Sequence, residues 1–564
     1  MKPFVSRRMA WVLFGCGILL ADVSGQKPSS RPKASSVRTT SSARSASATA
    51  PVLNVQKAKL EARGIDADWP SYNGDYTGRR FSSLSQITPD NVQSLRAEWV
   101  FHSTSPGILE ATPVVVNGVM YLTASNDAYA LNARNGEVLW HTSRPISSGL
   151  VDDASGHISR GVALWGDWLY METDNAHLLC LDARSGRLIW DVAYANWNKN
   201  YGATSAPLAV RGKILVGTSG GDDGVRGFLA AFDALTGKML WRRWTIPGPG
   251  EFGSASWPGE SYLRGGGTTW MPGTYDPELN TLYWGTGNAA PDYDGSVRPG
   301  DDLYTACVLA IDPDTGKIKW HFQFTPHDVY DYDGVQTPVL VDAEYQGLPR
   351  KLLIEANRNG FLYVLDRVSG KFLSATRFAE RVNWASGIDT NGRPIFSDVQ
   401  PSEKGTLTCP GDAGATNWYS PAYNEQTGYF YFLSLDQCTV NSVKPESFEE
   451  GKEYYATGTR EEPNTPGKKY LLAFNRSTNQ LAWKYEQEGD THSWGGVMTT
   501  ATGLVFFADD ANSFEAVNGR TGQSLWHFNT GQTLHASPMS YSASGKQYVA
   551  IASGDNLFSF ALPN

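Results

Sequence analysis

One pattern recurs along most of this 564-residue chain and limits its fold more than any other feature. An apolar run is followed by Asp or Asn, by a turn that usually contains Gly, and by a second run that ends in Trp. Alternating apolar residues on both sides of such a turn are typical of a β-hairpin. We expect these tryptophans to pack sheet against sheet and to have no chemical role. The clear copies end at Trp140, Trp190, Trp241, Trp320, Trp483 and Trp526, and a weaker copy has Ser374 in the Trp position.

The spacing of the copies indicates a repeat architecture. Short spacings, such as the 50 residues from Trp140 to Trp190, suit a four-stranded propeller blade of about 40–50 residues. Longer spacings require insertions, and the stretch 442–467, rich in Glu, Gly and Pro, is one candidate. Pairing 96–99 with strands from 548–562 would complete one more blade and remove an exposed sheet edge. The sequence therefore predicts an all-β, eight-bladed β-propeller with tryptophan-docking repeats over residues 61–564.

The first 60 residues have a different composition. Basic residues at positions 2, 7 and 8 precede an apolar run of 13 residues, 9–21, and small residues follow before Gln26. The run is too short to span a bilayer and is typical of an export signal, although an uncleaved anchor is the alternative. We therefore predict a signal peptide at 1–25 and a periplasmic protein. Residues 26–60 are rich in Ser, Ala and Thr, which predicts a disordered linker.

Charge and cysteine content limit the partners. Residues 1–57 carry a net charge of +8 against −9 for the whole chain, which leaves −17 for the remainder. An acidic body argues against nucleic acid, because phosphate binding needs a basic surface, and would suit a small basic protein. No CxxCH occurs, so the sequence has no covalent c-type haem site. Cys409 and Cys438 are candidates for one disulfide, whereas Cys180 and Cys307 lie in apolar runs and are predicted to be buried thiols.

Polar, glycine-rich stretches interrupt the repeat and contain the residues suited to chemistry. Asp331 and Asp333 are two residues apart, so on an extended chain their carboxylates would share a face. Such a pair is costly without a cation, and Asp222 and Asn288 could complete an oxygen-only shell for a hard one. Trp270 follows three glycines, departs from the hairpin pattern, and could stack on a planar ring. Taken singly, a DxD is more often a solvated turn, and a single arginine such as Arg160 or Arg358 is equally typical of a surface ion pair.

As an ordered set, these motifs resemble the methanol and ethanol dehydrogenases that depend on pyrroloquinoline quinone (PQQ). The resemblance covers roughly 69–562 and includes SGGDDGVRG, GGGTTW, GTGNAAP, RPGDDLYT, TPHDVYDYDGV and NRNG. It implies oxidation of a primary alcohol to the aldehyde by hydride transfer to metal-bound PQQ. Electrons would then pass to a separate, soluble c-type cytochrome. The alternatives are a PQQ-dependent sugar or polyol dehydrogenase and a non-catalytic propeller scaffold for outer-membrane assembly, and a homodimer is left open.

The resemblance also implies roles for single residues. Asp331 matches the catalytic base, Arg358 the arginine at the quinone carbonyl oxygens, and Trp270 the floor beneath the ring. Cys409 and Cys438 match a structural disulfide. Other residues around the cofactor are matched by Glu110, Arg160, Thr204, Ser219, Gly220, Gly221, Thr268, Asn417 and Trp494.

The matched metal ligands depart from the usual pattern. The ligand set is Asp222, Asn288, Asp331 and Asp333, with Asp222 in a place where the family usually has Glu. Asp333 resembles the lanthanide-dependent members, and three carboxylates would balance a trivalent ion, so we favour a lanthanide over calcium. The adjacent cysteines that cap the cofactor in the family should fall at 154–155, where this chain has Ala and Ser. How the quinone is shielded is therefore open at this point.

Overall fold

The computed structural model describes residues 57–61, 65–105, 107–150, 152–462 and 467–563. The predicted signal peptide and the predicted linker up to residue 56 lie outside these ranges. Lys57–Glu61 is a short helix, and Leu60 is buried in an apolar cluster. Among the described residues, no helix is both long enough and apolar enough to cross a membrane.

Antiparallel strands dominate the described ranges, in which eight sheets have four or five strands each. Sheets 1 to 3 are simple meanders in which each strand pairs with the next. They consist of Val114–Val116, Val119–Ala124, Asp127–Asn132 and Val138–Thr142; of Ala163–Trp165, Trp168–Thr173, His177–Asp182 and Leu188–Ala193; and of Leu208–Val210, Lys213–Val216, Phe228–Asp233 and Met239–Trp244.

Sheets 4 to 6 repeat the same order. Their strands are Thr274–Asp276, Thr281–Gly285, Cys307–Ile311 and Ile318–Gln323; Val339–Tyr345, Leu348–Ala356, Phe361–Asp366 and Phe372–Arg377; and Ala422–Asn424, Tyr429–Asp436, Lys468–Asn475 and Gln480–Glu486. The meander arises because each Asp-Gly-type turn reverses the chain after one apolar strand. The fold is all-β and propeller-like.

Sheets 7 and 8 combine the two ends of the folded chain. Sheet 7 contains Val497–Thr500, Leu504–Ala508, Ser513–Asn518 and Ser524–Asn529, with Phe81–Ser82 added in parallel. Sheet 8 contains Met539–Ala543, Lys546–Ser553 and Asn556–Ala561, and its fourth strand is Arg96–His102. The predicted pairing of residues 96–99 with the C-terminal strands is therefore observed.

Most of the repeated tryptophans lie on the turn glycines of the following sheet, whereas the Nε1 of Trp526 donates to the Leu95 carbonyl. Trp140 is an example: its Nε1 donates to the Ala183 carbonyl at 3.0 Å, and a Cβ placed on Gly186 would lie 2.6 Å from its ring. Gly186 has φ +71°, a conformation that only glycine adopts without strain. The same contact joins five further pairs: Trp99 with Gly136, Trp190 with Gly237, Trp241 with Gly316, Trp320 with Gly370, and Trp483 with Gly522.

The weak copy of the repeat has a different contact. Ser374 replaces the tryptophan, and Asn479 takes the place of the glycine in the next sheet. The Asn479 amide donates to Ser374 Oγ at 2.6 Å and to the Tyr345 hydroxyl at 2.8 Å. The tryptophan and the turn glycine are therefore both absent at this junction, and a polar contact takes the place of the contact between them.

Two smaller sheets lie outside the eight. One pairs Ala385–Ile388 with Pro394–Phe396, and the other contains Thr406–Thr408, Thr439–Val443 and Thr457–Glu461. The predicted disulfide between Cys409 and Cys438 is confirmed, with Cα atoms 4.6 Å apart, and Cys180 and Cys307 are buried thiols as predicted. The helical elements besides Lys57–Glu61 are short: Val92–Ser94, Asp152–Ser155, Trp197–Lys199, Gly221–Asp223, Ser254–Ser256, Ser261–Arg264 and Gly295–Val297.

Candidate active site

A polar cavity of about 350 Å³ brings together almost every residue that the sequence singles out. Asn288 is the exception, because it does not line the cavity but contacts Asp222 and Asp333 behind it. A larger cavity of about 720 Å³, beside Lys59 and Asp68, contains none of the predicted site residues. Those that line the smaller cavity are Glu110, Arg160, Thr204, Ser219, Gly220, Gly221, Asp222, Thr268, Trp270, Asp331, Asp333, Arg358, Asn417 and Trp494.

The loop that carries Asp331 and Asp333 is not extended. Asp331 has φ +66°, a left-handed conformation that costs a non-glycine residue about 1–3 kcal/mol and is concentrated at functional sites. The buried Asp328 carboxylate stabilises the loop by accepting the N–H groups of Tyr330 and Tyr332 at 3.2 and 2.9 Å. The expectation of an extended Asp331–Asp333 segment is therefore wrong, because the tight loop brings both carboxylates to the cavity in another way.

Arg358 joins the two carboxylates. Its Nη1 donates to Asp333 Oδ2 at 2.7 Å and its Nη2 to Asp331 Oδ2 at 2.9 Å. Burial lowers the pKa of Arg358, but the negative charges of Asp331 and Asp333 outweigh this and raise its pKa above the ordinary value. The guanidinium is therefore always charged and neutralises one of the two carboxylates.

Asn288 connects the remaining acid to this pair. Its backbone N–H donates to Asp333 Oδ1 at 2.7 Å, and its side-chain amide donates to Asp222 Oδ1 at 2.9 Å. Gly287, just before it, has room for no side chain, since a Cβ there would lie 2.8 Å from Asp333 Oδ1. The three carboxylates and the amide thus form one connected polar cluster at one end of the cavity.

The cluster carries an excess of buried negative charge. Burial raises the pKa of Asp331 well above its usual value, and the neighbouring Asp333 and Asp222 add to the effect while Arg358 opposes it. Burial likewise raises the pKa of Asp333 to about 6 and raises that of Asp222. Three carboxylates face one guanidinium, so a further cation at this end of the cavity would be stabilised.

The other end of the cavity has a buried ion pair and an aromatic floor. Arg160 Nη2 lies 2.7 Å from Glu110 Oε2, and its Nη1 donates to the Thr204 carbonyl at 3.1 Å. The guanidinium carbon lies 5.1 Å from the centroid of Trp270 and 4.5 Å from that of Trp418. A positive group held between two aromatic faces is suited to bind an anionic, planar molecule.

Backbone without side chains forms one wall. A Cβ on Gly220, which has φ +89°, would lie 2.1 Å from the Asn200 carbonyl oxygen, and one on Gly221 would lie 2.9 Å from Thr268 Oγ1. The Ser219 hydroxyl donates to the carbonyl of Ala154. The segment at 154–155, where the resemblance places a cysteine pair, therefore packs directly against this wall, and Ser155 lines the cavity.

The cavity is also lined by three residues to which the sequence assigns no role: Ile158, Trp418 and His535. Trp418 directly follows the predicted Asn417, yet no motif marks it. His535 lies 3.8 Å from Glu110 Oε1, and its Nε2 lies 3.2 Å from the His492 carbonyl. A hydrophobic residue, an aromatic and an isolated histidine have no chemical spacing from which a site could be read, so only the fold reveals them.

The chain is similar to known proteins over most of its length. The family described as PQQ glucose/ethanol/alcohol dehydrogenase, β-propeller domain, matches residues 69–382 and 468–549. A quinohemoprotein alcohol dehydrogenase, ADH IIB, of Pseudomonas putida is 38% identical over 509 residues, which are 86% of this chain and 73% of that protein. The quinoprotein alcohol dehydrogenase PedH of Pseudomonas putida is 35% identical, over 85% of this chain and 84% of its own.

Solved structures give the same result. A europium-containing methanol dehydrogenase superposes with a TM-score of 0.83 at 29% identity, covering 89% of this chain and 99% of its own. The family match extends over most of the described residues, and the relatives are covered over most of their length. The chain belongs to the family of PQQ-dependent alcohol dehydrogenases.

Proposed function

We propose that this chain is a periplasmic quinoprotein that oxidises a primary alcohol to the aldehyde, with Asp331 as the base and a metal ion beside the quinone. One observation carries the proposal: Asp331, Asp333, Asp222 and Arg358 share a cavity with an aromatic floor and a buried arginine. The whole arrangement suits a planar, anionic redox cofactor at one end and a cation at the other.

The cavity residues fit PQQ. The Nε groups of Arg160 and Arg358 and the hydroxyl of Ser155 are buried and have no hydrogen-bond partner among the described residues. Unpaired buried donors are costly, so a ligand with acceptor oxygens would stabilise them. Trp270 offers one face for stacking, and Gly220 lies in the cavity wall. Thr204, Ser219, Thr268, Asn417 and Trp494 complete the proposed contacts around the ring edge.

The cavity residues also fit a metal ion, after a local rearrangement. Within the described ranges, no three His, Cys, Asp or Glu side chains are grouped closely enough to hold a metal as they stand. Arg358 is paired with Asp331 and Asp333, and the Asn288 amide points its N–H at Asp222. All the same, the donors are oxygens, which suit a hard cation. Rotation of the Asn288 amide would present its oxygen instead, and the two orientations are alike in shape.

The protein's own groups then have distinct tasks. When bound, the quinone supplies the hydride acceptor and the metal supplies a Lewis acid. Asp331, 24% exposed toward the cavity, takes the hydroxyl proton of the alcohol as general base. Arg358 holds that carboxylate in place and would face the carbonyl oxygens of a bound quinone. Ile158 and Trp418 provide an apolar lining that limits water near the substrate.

A lanthanide fits the proposed ligand set better than calcium does. The proposed ligands Asp222, Asp331 and Asp333 contribute three negative charges, which match a trivalent ion, while Arg358, outside the ligand set, offsets one charge of the whole cluster. The similar methanol dehydrogenase structure contains europium. Asp222 is one methylene shorter than the Glu usual in the family, so its loop would have to lie closer to a bound ion for this residue to serve as a ligand.

The rest of the chain is assigned by the same proposal. The eight sheets are the blades of a propeller that the pairing of Arg96–His102 with Asn556–Ala561 closes, and Trp–Gly contacts dock six of the eight blades on the next. Residues 1–25 are a signal peptide, 26–60 a linker, and 61–564 the catalytic propeller. Electrons leave to a soluble c-type cytochrome, which the acidic body suits if that cytochrome is basic.

Steady-state dye reduction by the purified holoprotein tests the function. The assay compares primary alcohols with sugars and polyols at equal concentration, because the matching family also includes glucose dehydrogenases. We expect the highest kcat/KM with a primary alcohol. A higher kcat/KM with glucose or a polyol would replace the alcohol proposal with a sugar dehydrogenase.

A further inference from the structure

A segment outside the eight sheets lies against the back of the Asp222 loop. Residues 446–456, here called the strap, form most of the connection between the strands Thr439–Val443 and Thr457–Glu461. None of the strap residues lines the cavity. Any effect of the strap on the site must therefore pass through the residues that it contacts.

The strap holds the Asp222 loop directly. The backbone N–H of Tyr454 donates to the Asp222 carbonyl at 2.7 Å. The rings of Phe448 and Tyr454 are packed edge to face with centroids 5.5 Å apart, and both cover Gly224. A Cβ on Gly224, which has φ +71°, would lie 2.7 Å from the Phe448 ring. The turn that ends the Asp222 loop is thus fitted to the strap.

The strap also contacts the segments that precede or follow other site residues. Arg264, which precedes Trp270 by six residues, has its guanidinium carbon 4.9 Å from the centroid of the Phe448 ring. Tyr293, which follows Asn288 by five residues, donates its backbone N–H to the Tyr455 carbonyl at 3.1 Å. Lys199 and Glu450 form an exposed ion pair at 2.9 Å. One segment therefore ties together the loops that carry Asp222, Trp270 and Asn288.

The strap is itself held in a strained shape. Ala456, the last residue of the strap, and Thr457, the first of the next strand, have φ values of +59° and +128°, which non-glycine residues rarely adopt. Glu446 accepts the Ala456 N–H at 2.7 Å, and the Lys444 N–H donates to the Ala456 carbonyl at 2.9 Å. Such a conformation persists only where surrounding contacts define it, as these do.

We infer that the strap is a positioning element for the metal site. It fixes the Asp222 loop relative to Asn288, so that both reach the ion, and Phe448 is its central contact. This inference rests on the proposed metal site. Groups that orient metal ligands from behind commonly change metal affinity by about 10- to 100-fold when removed. The strap therefore sets how tightly the metal is bound, while contributing no ligand.

Calorimetric titration tests the inference. The full-length protein is purified with PQQ, stripped of metal by a chelator, and titrated with lanthanum chloride and separately with calcium chloride. We expect Phe448→Ala to bind lanthanum roughly tenfold more weakly and Phe448→Tyr, which keeps the ring, to recover most of the affinity. Phe252→Ala, at an aromatic residue that is 71% exposed and distant from the strap in sequence, is the matched control and should bind as the parent does.

The outcomes separate the strap from the site itself. If Phe448→Ala binds lanthanum as the parent does while Asp222→Asn binds it more weakly, the positioning role of the strap is wrong and the proposed metal site is retained. Unchanged affinity in Asp222→Asn overturns the proposed metal site, and the strap inference falls with it. A lowered melting temperature of metal-free Phe448→Ala that accounts for the whole affinity loss would also overturn the positioning role, because the residue would then serve only the fold.

Discussion

Asp331 combines an unusual backbone conformation, a partly buried ion pair and the proposed role of catalytic base. It lies in the left-handed region at φ +66°, pairs with Arg358 at 2.9 Å, and faces the cavity beside Asp333. A carboxylate held this way cannot rotate freely away from a bound alcohol. The backbone strain is thus best explained by the need to aim this side chain.

Replacing Asp331 with asparagine tests its role as the base. Asn has the same shape and tolerates the left-handed conformation, so we expect the fold and quinone content to be retained. Removal of the proton acceptor should lower kcat by about 10²- to 10⁴-fold. Dye-linked turnover and the quinone absorbance of the purified variant provide the measurement. Undiminished turnover in a variant that retains its quinone would mean that Asp331 is not the base.

Asp333→Ala tests the choice of metal. The change removes one carboxylate and one partner of Arg358, so the site should lose preference for a trivalent ion. We expect the parent to be more active after reconstitution with lanthanum than with calcium, and the variant to lose the lanthanum-dependent activity selectively. Equal activities with the two ions, unaffected by the substitution, would make Asp333 a structural partner of Arg358 alone.

For single residues, the sequence predicts which residues line the cavity better than it predicts their backbone conformations. Asp222, Asp331 and Arg358 could be named because their motifs resemble a family as an ordered set. The conformation of Asp331 could not, since a left-handed Asp is rarely marked by its neighbours. Trp418 was missed for a different reason: it contributes a ring from a position that matches no repeat, and aromatic residues are abundant throughout this chain.

Among elements, the contact between a tryptophan and a turn glycine recurs from sheet to sheet. The hairpins were predictable because the turn chemistry and the apolar alternation agree in each copy. The contact between Ser374 and Asn479 was not, because the two residues lie 105 apart in the chain and only the assembled sheets bring them together. The small sheet with Ala385–Ile388 was also missed, since it lies outside the repeat.

Gly186→Ala should destabilise the contact between sheets 1 and 2. The new methyl group would meet the Trp140 ring at 2.6 Å in a backbone at φ +71°, so we expect a loss of about 2–4 kcal/mol from strain and overpacking together. Gly118→Ala is the matched control, with φ +78° and nothing within 4 Å of the added Cβ. Denaturant unfolding of both variants gives the comparison, and equal losses would show that the tryptophan contact contributes nothing.

Glu172, within sheet 2, makes stability depend on pH. Burial raises its pKa to about 8 while the Tyr194 hydroxyl, donating at 2.8 Å, opposes the rise. Between the ordinary pKa and 8, the folded state holds a proton that the unfolded state has lost, so stability falls as pH rises through this range. The loss is on the order of a few kcal/mol.

Glu172→Gln should remove that part of the dependence. Relative to the parent, the variant should gain melting temperature steadily from pH 5 to pH 8, since glutamine stays neutral throughout. Glu137→Gln, at an exposed position, is the control and should track the parent. A Glu172→Gln variant whose melting temperature runs parallel to the parent across this range would show that Glu172 is charged in the fold.

On the scale of the whole molecule, the fold and the site depend on each other. The repeat predicted the sheets, and the pairing of Arg96–His102 with Asn556–Ala561 was predictable because one blade lacked partners. The site residues come from loops that the repeat does not explain, separated by more than 380 residues from Glu110 to Trp494. No local pattern could show that they converge, and only the resemblance to a family indicated it before the structure did.

Anomalous diffraction from crystals of the holoprotein, grown with PQQ and a lanthanide, tests the central claim most directly. The claim is that one cavity holds the cofactor and the ion together. We expect a single strong lanthanide peak within about 2.3–2.6 Å of oxygens from Asp222, Asn288, Asp331 and Asp333, with the quinone stacked on Trp270. A lanthanide peak elsewhere in the molecule, with Arg358 still paired to both Asp331 and Asp333 beside the quinone, would contradict the account.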